Sequence, residues 1–387
     1  MRSSAVEDYL RLGLRIGRLV EGMVDAYYGP VELSAAVDAE PPADPATLVA
    51  AADDLLGLLE DGWLHDQVTG LLTYARVLAG EPIAYADEVA GCYGVRPTHA
   101  DEDVFAAAHD ELEGLLPGPG PLAERYARWQ ESTRVPADRI RPTVTAVIDE
   151  ARTQTRSLVG LPEGEDIDVE IVRDVPWLGF CEYLGDLRSR ISVNVTLPIS
   201  AIDLLVLVLH ETYPGHHTER CVKEQMLVRG RGLLEETLVL VPTPQSLIAE
   251  GIATLAPATL VEGEGGAALA GVVQDTAGIS FDLDHAWAVE QALQPCRWAE
   301  VNAALLLFER SASEAEVHAY LRRWALMTPE LASHLIRFFN EPMSRSYIVT
   351  YPAGRDLCRA FVAREANGFH RLLTEQVRIR DLRATSS

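Results

Sequence analysis

The chain has 387 residues, 48% of them hydrophobic and 24% charged, enough to bury one large core or two of ordinary size and too apolar for wholesale disorder. Its 33 basic and 58 acidic residues leave a formal net charge of −25. So acidic a surface repels phosphate backbones and anionic lipid headgroups, which argues against nucleic-acid and membrane partners. The longest candidate stretch, residues 202–209, apolar but for Asp203, falls far short of the roughly 18 residues a membrane-spanning helix needs. Residues 1–8 are polar and charged and lack a signal-peptide layout, which predicts a cytoplasmic protein. The five cysteines are scattered and none forms a C-x-x-C pair. They read as small buried hydrophobes, not as a disulfide framework or a thiolate zinc site.

Helical periodicity runs through the first part of the chain. Apolar residues recur at near-helical spacing over residues 9–23, until Tyr28-Gly29-Pro30 breaks the pattern. Two further helical stretches cover residues 48–59 and 68–78. After the punctuation of residues 117–121, a long helix is predicted over 122–158, with Pro136 and Pro142 as interruptions or helix starts. Residues 1–150 thus read as a helical region forming one wall of a cleft, and 151–387 as the region that carries the chemistry. Between 160 and 198 the texture changes. Residues 167–172 and 190–197 alternate apolar and polar positions and are rich in β-branched side chains, so each predicts a short strand. Ser200, with Asp203 three residues on, reads as the cap of the next helix. The fold class expected is mostly α, with a small β element before that helix.

That helix begins almost continuously apolar and ends in His210-Glu211-Thr212-Tyr213-Pro214-Gly215-His216-His217. Histidine is the commonest zinc ligand, and catalytic zinc keeps three protein ligands and an open position. The usual helical arrangement, H-E-x-x-H, works because positions i and i+4 share a face. Here the second histidine comes six or seven residues after the first. On a straight helix, position i+6 lies roughly 120° off the face and i+7 lies about 10 Å along the axis, so neither closes a site. Pro214 removes the bond back to the His210 carbonyl and Gly215 relaxes the backbone, so a kink there could return a histidine to His210. His216 needs the smaller correction and is the preferred second ligand, with His217 as the alternative. Glu250, 34 residues beyond His216 at the start of a predicted helix, is the best third ligand. The small residues after it allow two helices to pack closely around a metal.

The segments His-Glu-x-x-Pro-Gly-His at 210–216 and Glu-Gly-x-Ala at 250–253 resemble the bacterial DUF885 proteins, gluzincin-like relatives of zinc metallopeptidases. A Tyr-x-x-Gly element at Tyr351-Pro352-Ala353-Gly354 and a strand ending in Val193-Asn194 match the same family. One departure is Ile252, where the family often has an aromatic residue. The resemblance implies a helical zincin, Zn2+ on His210, His216 and Glu250, and hydrolysis of an amide in which Glu211 is the general base and Tyr351 holds the oxyanion. His217, Tyr347, Arg345 and Asn194 stand as neighbours of the ligands or substrate contacts. Arg345 and Arg355 flank the tyrosines, and each reads either as an anchor for a peptide's terminal carboxylate or as half of a structural ion pair. The substrate expected is a peptide or a small amide. A zinc hydrolase of a non-peptide amide and a non-enzymatic helical metal-binding protein are the alternatives.

Overall fold

The computed structural model describes residues 2–383 other than Pro176 and Met343. The chain is mostly α-helical, as the periodicity predicts, and the described residues include five short strands: β1 (Val24–Tyr27), β2 (Asp166–Val172), β3 (Gly179–Gly185), β4 (Arg188–Asn194) and β5 (Leu238–Leu240). No described helix is long and apolar enough to cross a membrane. All five cysteines are buried and unpaired.

Strands β2, β4 and β3 form one sheet in that order, β2 parallel and β3 antiparallel to β4. Two of them coincide with the stretches read from alternation. β3 lacks a clean alternation and becomes a strand because the two-residue turn Asp186-Leu187, both at positive φ, folds it back on β4. β1 and β5 pair separately and are too short to carry a periodic signal. The helix expected over residues 9–23 ends at Gly17, in the helix Arg2–Gly17. There the chain doubles back so tightly that a Cβ on Gly17 would meet Val24 at 2.5 Å. The stretch 122–158 is two helices, Leu122–Ser132 and Ile140–Val159. Pro136 falls in the break between them, and Pro142 in the first turn of the second, where its missing N–H leaves no bond unmade.

Four helices position the site. The first histidine helix is Ala201–Glu211, capped by Ser200, whose hydroxyl oxygen accepts from the Asp203 N–H. The second histidine helix is His216–Lys223, the glutamate helix is Pro244–Val261 and the tyrosine helix is Thr350–Arg364. The apolar run of the first histidine helix suggests burial on nearly all sides. One stripe departs from that: Asp203, Val206, Leu207 and His210 are only half-buried. Their spacing of i, i+3, i+4 and i+7 puts them on one face, the least buried face of the helix. The largest apolar cluster draws on both ends of the chain, from Val6 to Leu382, and a second surrounds the first histidine helix.

The glutamate and tyrosine helices cross with their backbones almost touching. A Cβ on Gly251 would meet the Gly354 carbonyl oxygen at 2.4 Å, and one on Gly354 would meet the Leu247 carbonyl oxygen at 2.3 Å. Neither obstacle is a flexible side chain, so any larger residue forces the helices apart. Gly354→Ala is therefore expected to destabilise the protein by about 2–3 kcal/mol, the scale of overpacking. Gly57→Ala is the control, since its Cβ would meet nothing within 4 Å. Exposed and one residue from the end of its helix, it should change stability by no more than about 0.5 kcal/mol. Denaturant unfolding of both variants checks this, and equal effects would mean that the crossing can relax.

Candidate metal centre

The first histidine helix stops at Glu211 and the second starts at His216, so the helical path is broken across residues 212–215. The Tyr213–Pro214 peptide is cis. Gly215 is required less for its backbone angles, with φ at −76°, than for space: a Cβ there would meet the His210 carbonyl oxygen at 1.9 Å. This contact of backbone on backbone turns His216 back onto His210, and the two rings lie 4.8 Å apart, nearly perpendicular.

Glu250 reaches between them from the glutamate helix. Its two oxygens lie 3.3 Å from His210 Nε2 and 3.4 Å from His216 Nε2. Ligand atoms about 2.05 Å from a tetrahedral zinc are about 3.3 Å apart, so these separations match the edge length of a zinc coordination tetrahedron. All three ligand atoms lie within 4.8 Å of one another. Glu250 Oε2 is buried and makes no aligned hydrogen bond, although a histidine nitrogen faces it. Two lone pairs aimed at a shared point give that geometry, and the donor set of two imidazoles and a carboxylate fits zinc. Burial alone would raise the Glu250 pKa, but the neighbouring imidazoles outweigh it and hold the carboxyl well below its usual range, in the ionised form a ligand needs.

Two tyrosines come from the chain just before and at the start of the tyrosine helix. Tyr347 donates its hydroxyl to Glu250 Oε1 at 2.5 Å and so fixes the carboxylate. The Tyr351 ring lies 6.4 Å from the His210 ring. Among the described residues its hydroxyl has no hydrogen-bond partner. A proline after Tyr351 by itself favours extended backbone there; instead both residues sit in the first turn of the helix, where proline is tolerated.

Glu211 is buried beside His210. Burial lifts its carboxyl to about 7, with His210 pulling it down and Glu250 and Asp25 adding to the rise. Its carboxylate packs on the first residue of β3, where a Cβ on Gly179 would meet Glu211 Oε1 at 2.9 Å. Sequence reading missed Asp25 and Arg220. Asp25 is the extra residue of a bulge in β1, between the paired positions Val24 and Ala26, a device that re-aims a side chain. Its Oδ2 accepts from Arg220 Nη2 at 3.4 Å. Arg220 follows His216 by four residues and shares its helix face. A bulge in a four-residue strand leaves no periodic trace, so only the fold could reveal this pair.

The other expected residues lie away from the three ligands. His217 faces the opposite way: its Nδ1 is 2.7 Å from Ser189 Oγ and its Nε2 is 3.3 Å from Glu165 Oε2. Arg345 sits 3.4 Å from Glu88 and stacks over Phe308, in a structural pair outside the centre. Asn194 donates to the carbonyls of Val175 and Trp177 and accepts from the N–H of Thr196, so it braces a loop.

No family model and no curated protein matches the chain. Among solved structures it is similar to a "putative lipoprotein" from Colwellia psychrerythraea, with a TM-score of 0.54 and 14% identity over 87% of this chain and 65% of that one. It is also similar to one of unknown function from Shewanella oneidensis, with a TM-score of 0.52 and 13% identity over 91% of this chain and 66% of that one. At such identities the likeness is one of fold, and the chain spans about two thirds of the length of both neighbours. These findings overturn two expectations. Membership of the DUF885 or gluzincin-like peptidases is withdrawn, because no family model matches and neither neighbour is described as a peptidase. The cytoplasmic assignment and the keyword of a cytoplasmic metallopeptidase are withdrawn as well, because both neighbours are described as lipoproteins.

Behind the ligands, buried Glu165 accepts from the Tyr213 hydroxyl, from Arg152 Nε at 2.8 Å and from His217. It thereby ties the broken segment to the sheet. Burial raises its pKa, yet the bonds from His217, Tyr213 and Arg152 outweigh this and leave it lowered. Glu165→Gln is expected to cost about 2–3 kcal/mol, below the 3–5 of a fully buried pair because Arg152 is partly in water. A lowered folded-state pKa means this stability is fully present above about pH 4.3 and fades as pH falls through the folded value. Denaturant titrations at pH 7 and pH 3 check it, and a gap between wild type and variant that widens in acid would have the wrong sign.

Proposed function

We propose that the chain is a zinc-dependent hydrolase of amide bonds, with a peptide as its substrate and a helical zincin as its architecture. The observation that carries this reading is a buried carboxyl, Glu211, beside the cluster of His210, His216 and Glu250, whose spacing suits zinc ligands. The three residues would hold zinc, which when bound supplies a Lewis acid for the carbonyl and lowers the pKa of water toward neutrality.

The remaining work falls to this chain's side chains. Glu211 takes the proton of the attacking water and later passes it to the leaving nitrogen, and a carboxyl near pH 7 is matched to both transfers. Tyr351 donates its free hydroxyl to the oxyanion that develops on the carbonyl. Tyr347 orients Glu250 and stays out of the chemistry. His210 is the least buried end of the cluster, on the half-buried stripe of the first histidine helix, and substrate would approach from that side. Three protein ligands, the number a catalytic zinc keeps, favour this reading over a closed structural site.

Metal analysis of the purified protein should find one zinc per chain, largely lost in His210→Ala and in Glu250→Ala. Glu211→Gln should retain zinc and lose at least about 10²-fold in the digestion of a peptide library. Full zinc in either ligand variant, or near-normal turnover in Glu211→Gln, would sink the assignment.

The two tyrosines should separate by readout. Tyr351→Phe should lower turnover by about 10²-fold and leave zinc affinity unchanged. Tyr347→Phe should weaken zinc by about 10-fold or more, as loss of a hydrogen bond to a ligand does. Competition with a chelator measures the second effect, and exchanged outcomes would exchange the roles.

A further inference from the structure

The second histidine helix carries a charged face that the proposed chemistry does not use. His216, Glu219, Arg220 and Lys223 recur at i, i+3, i+4 and i+7, so they share one side of the helix. Glu219, Arg220 and Lys223 are all buried. Lys223 is the chain's single lysine; every other basic residue is arginine. Its Nζ donates to Glu219 Oε1 at 2.7 Å. A compact ammonium suits so enclosed a pair better than the broad fork of a guanidinium. Burial raises the Glu219 pKa, but Lys223 and Arg220 outweigh it and leave it lowered, so the carboxyl is ionised.

Two buried atoms on this face have no hydrogen-bond partner among the described residues: His216 Nδ1 and Glu219 Oε2. Arg220 Nη1 lies 3.7 Å from that oxygen, beyond hydrogen-bond reach. The two orphans are complementary. His216 turns Nε2 toward Glu250, and a neutral ring that binds a metal through Nε2 carries its proton on Nδ1. Nδ1 is then a donor, and the ionised carboxylate is an acceptor. Residues three apart on a helix have their Cβ atoms about 5–6 Å apart, and the two atoms make no direct bond, a span that one water closes. Asp25 is a second carboxylate near His216. It accepts from Arg220, and its side chain is 20% exposed, so solvent completes its bonding. Of the two, Glu219 is the one sealed from water and short of a donor.

We propose that Glu219 is a positioning residue of the metal centre: through one bridging water it takes the Nδ1 proton of His216 and fixes the tautomer and orientation of that ring. Lys223 in turn holds Glu219. The inference rests on the reading of His210, His216 and Glu250 as zinc ligands and adds the group that orients the second of them; it does not depend on hydrolysis. Metal-bound imidazoles hand their other N–H to a carboxylate, a carbonyl or a water, and loss of that partner weakens metal binding about 10–100-fold.

The test reads zinc affinity, by competition with a chelator, beside the unfolding transition. Glu219→Met should weaken zinc by about 10-fold or more. It also strands Lys223, so the fold suffers with it. Glu219→Met/Lys223→Met removes both charges together and replaces the pair with apolar side chains of similar length, a change that buried pairs tolerate. A Glu219 that served only to pair Lys223 would let the double variant recover its zinc affinity along with its unfolding transition. The positioning role predicts recovery of the transition alone, with zinc still about 10-fold weaker. Asp25→Asn should keep zinc within about 3-fold. With 15N-labelled histidine, the zinc-loaded wild type should show an imidazole Nδ1–H protected from solvent exchange, and the double variant should lose that protection. Zinc affinity of the double variant within about 3-fold of wild type, or no protected Nδ1–H in wild type, would overturn the proposal. Weakened zinc in Asp25→Asn with none in the double variant would overturn it too and move the role to Asp25. A wild type that takes up no zinc instead strikes the ligand reading itself, and zinc held without peptide turnover strikes only the hydrolase reading.

Discussion

Glu250 is buried with its oxygens 3.3 and 3.4 Å from the imidazoles of His210 and His216, and three separate segments must be held still to keep it there. A carboxylate taken out of water is tolerable only if it stays paired. The surrounding fold meets that demand backbone first. Gly215 presses on the His210 carbonyl and returns His216 to the site, while Gly251 and Gly354 let the glutamate and tyrosine helices meet without side chains between them. Close backbone contacts leave few alternative arrangements, so the fold itself holds the three side chains together.

Around this centre the polar groups divide by what they touch. Tyr347 holds the Glu250 carboxylate, and Arg220 holds Asp25 on the face of the helix that presents His216. Glu165 gathers Tyr213, His217 and Arg152 behind the broken segment and anchors it to the sheet. Glu211 and Tyr351 are different in kind: one is buried and the other half-buried, and neither braces the fold. In the proposed reaction these are the groups that a substrate would complete: a water for Glu211, an oxyanion for Tyr351.

Solved structures of similar fold bear on how far such a reading extends. Both share only 13–14% identity with the chain and are longer than it. Fold likeness of that degree transmits architecture, while function resides in particular side chains. The case for hydrolysis therefore rests on the spacing of His210, His216, Glu250 and Glu211 in this chain.

What the sequence determined by itself is what short range dictates. The mostly helical character, β2 and β4, and the cap at Ser200 follow from periodicity and local hydrogen bonding, which act over a few residues. The ligand motif was legible because histidine, glutamate, proline and glycine were placed together where an apolar helix ends. The tertiary structure decided what depends on residues far apart in the chain. It chose His216 over His217, because only one histidine after a turn of that shape can face His210. It gave Tyr347 to Glu250, 97 residues away. It brought Asp25 to Arg220 across 195 residues through a bulge that no pattern marks. It removed Arg345 and Asn194 to structural pairings. Pairing and burial of charged groups are properties of the packed molecule, since one opposite charge within reach decides whether a buried group is satisfied.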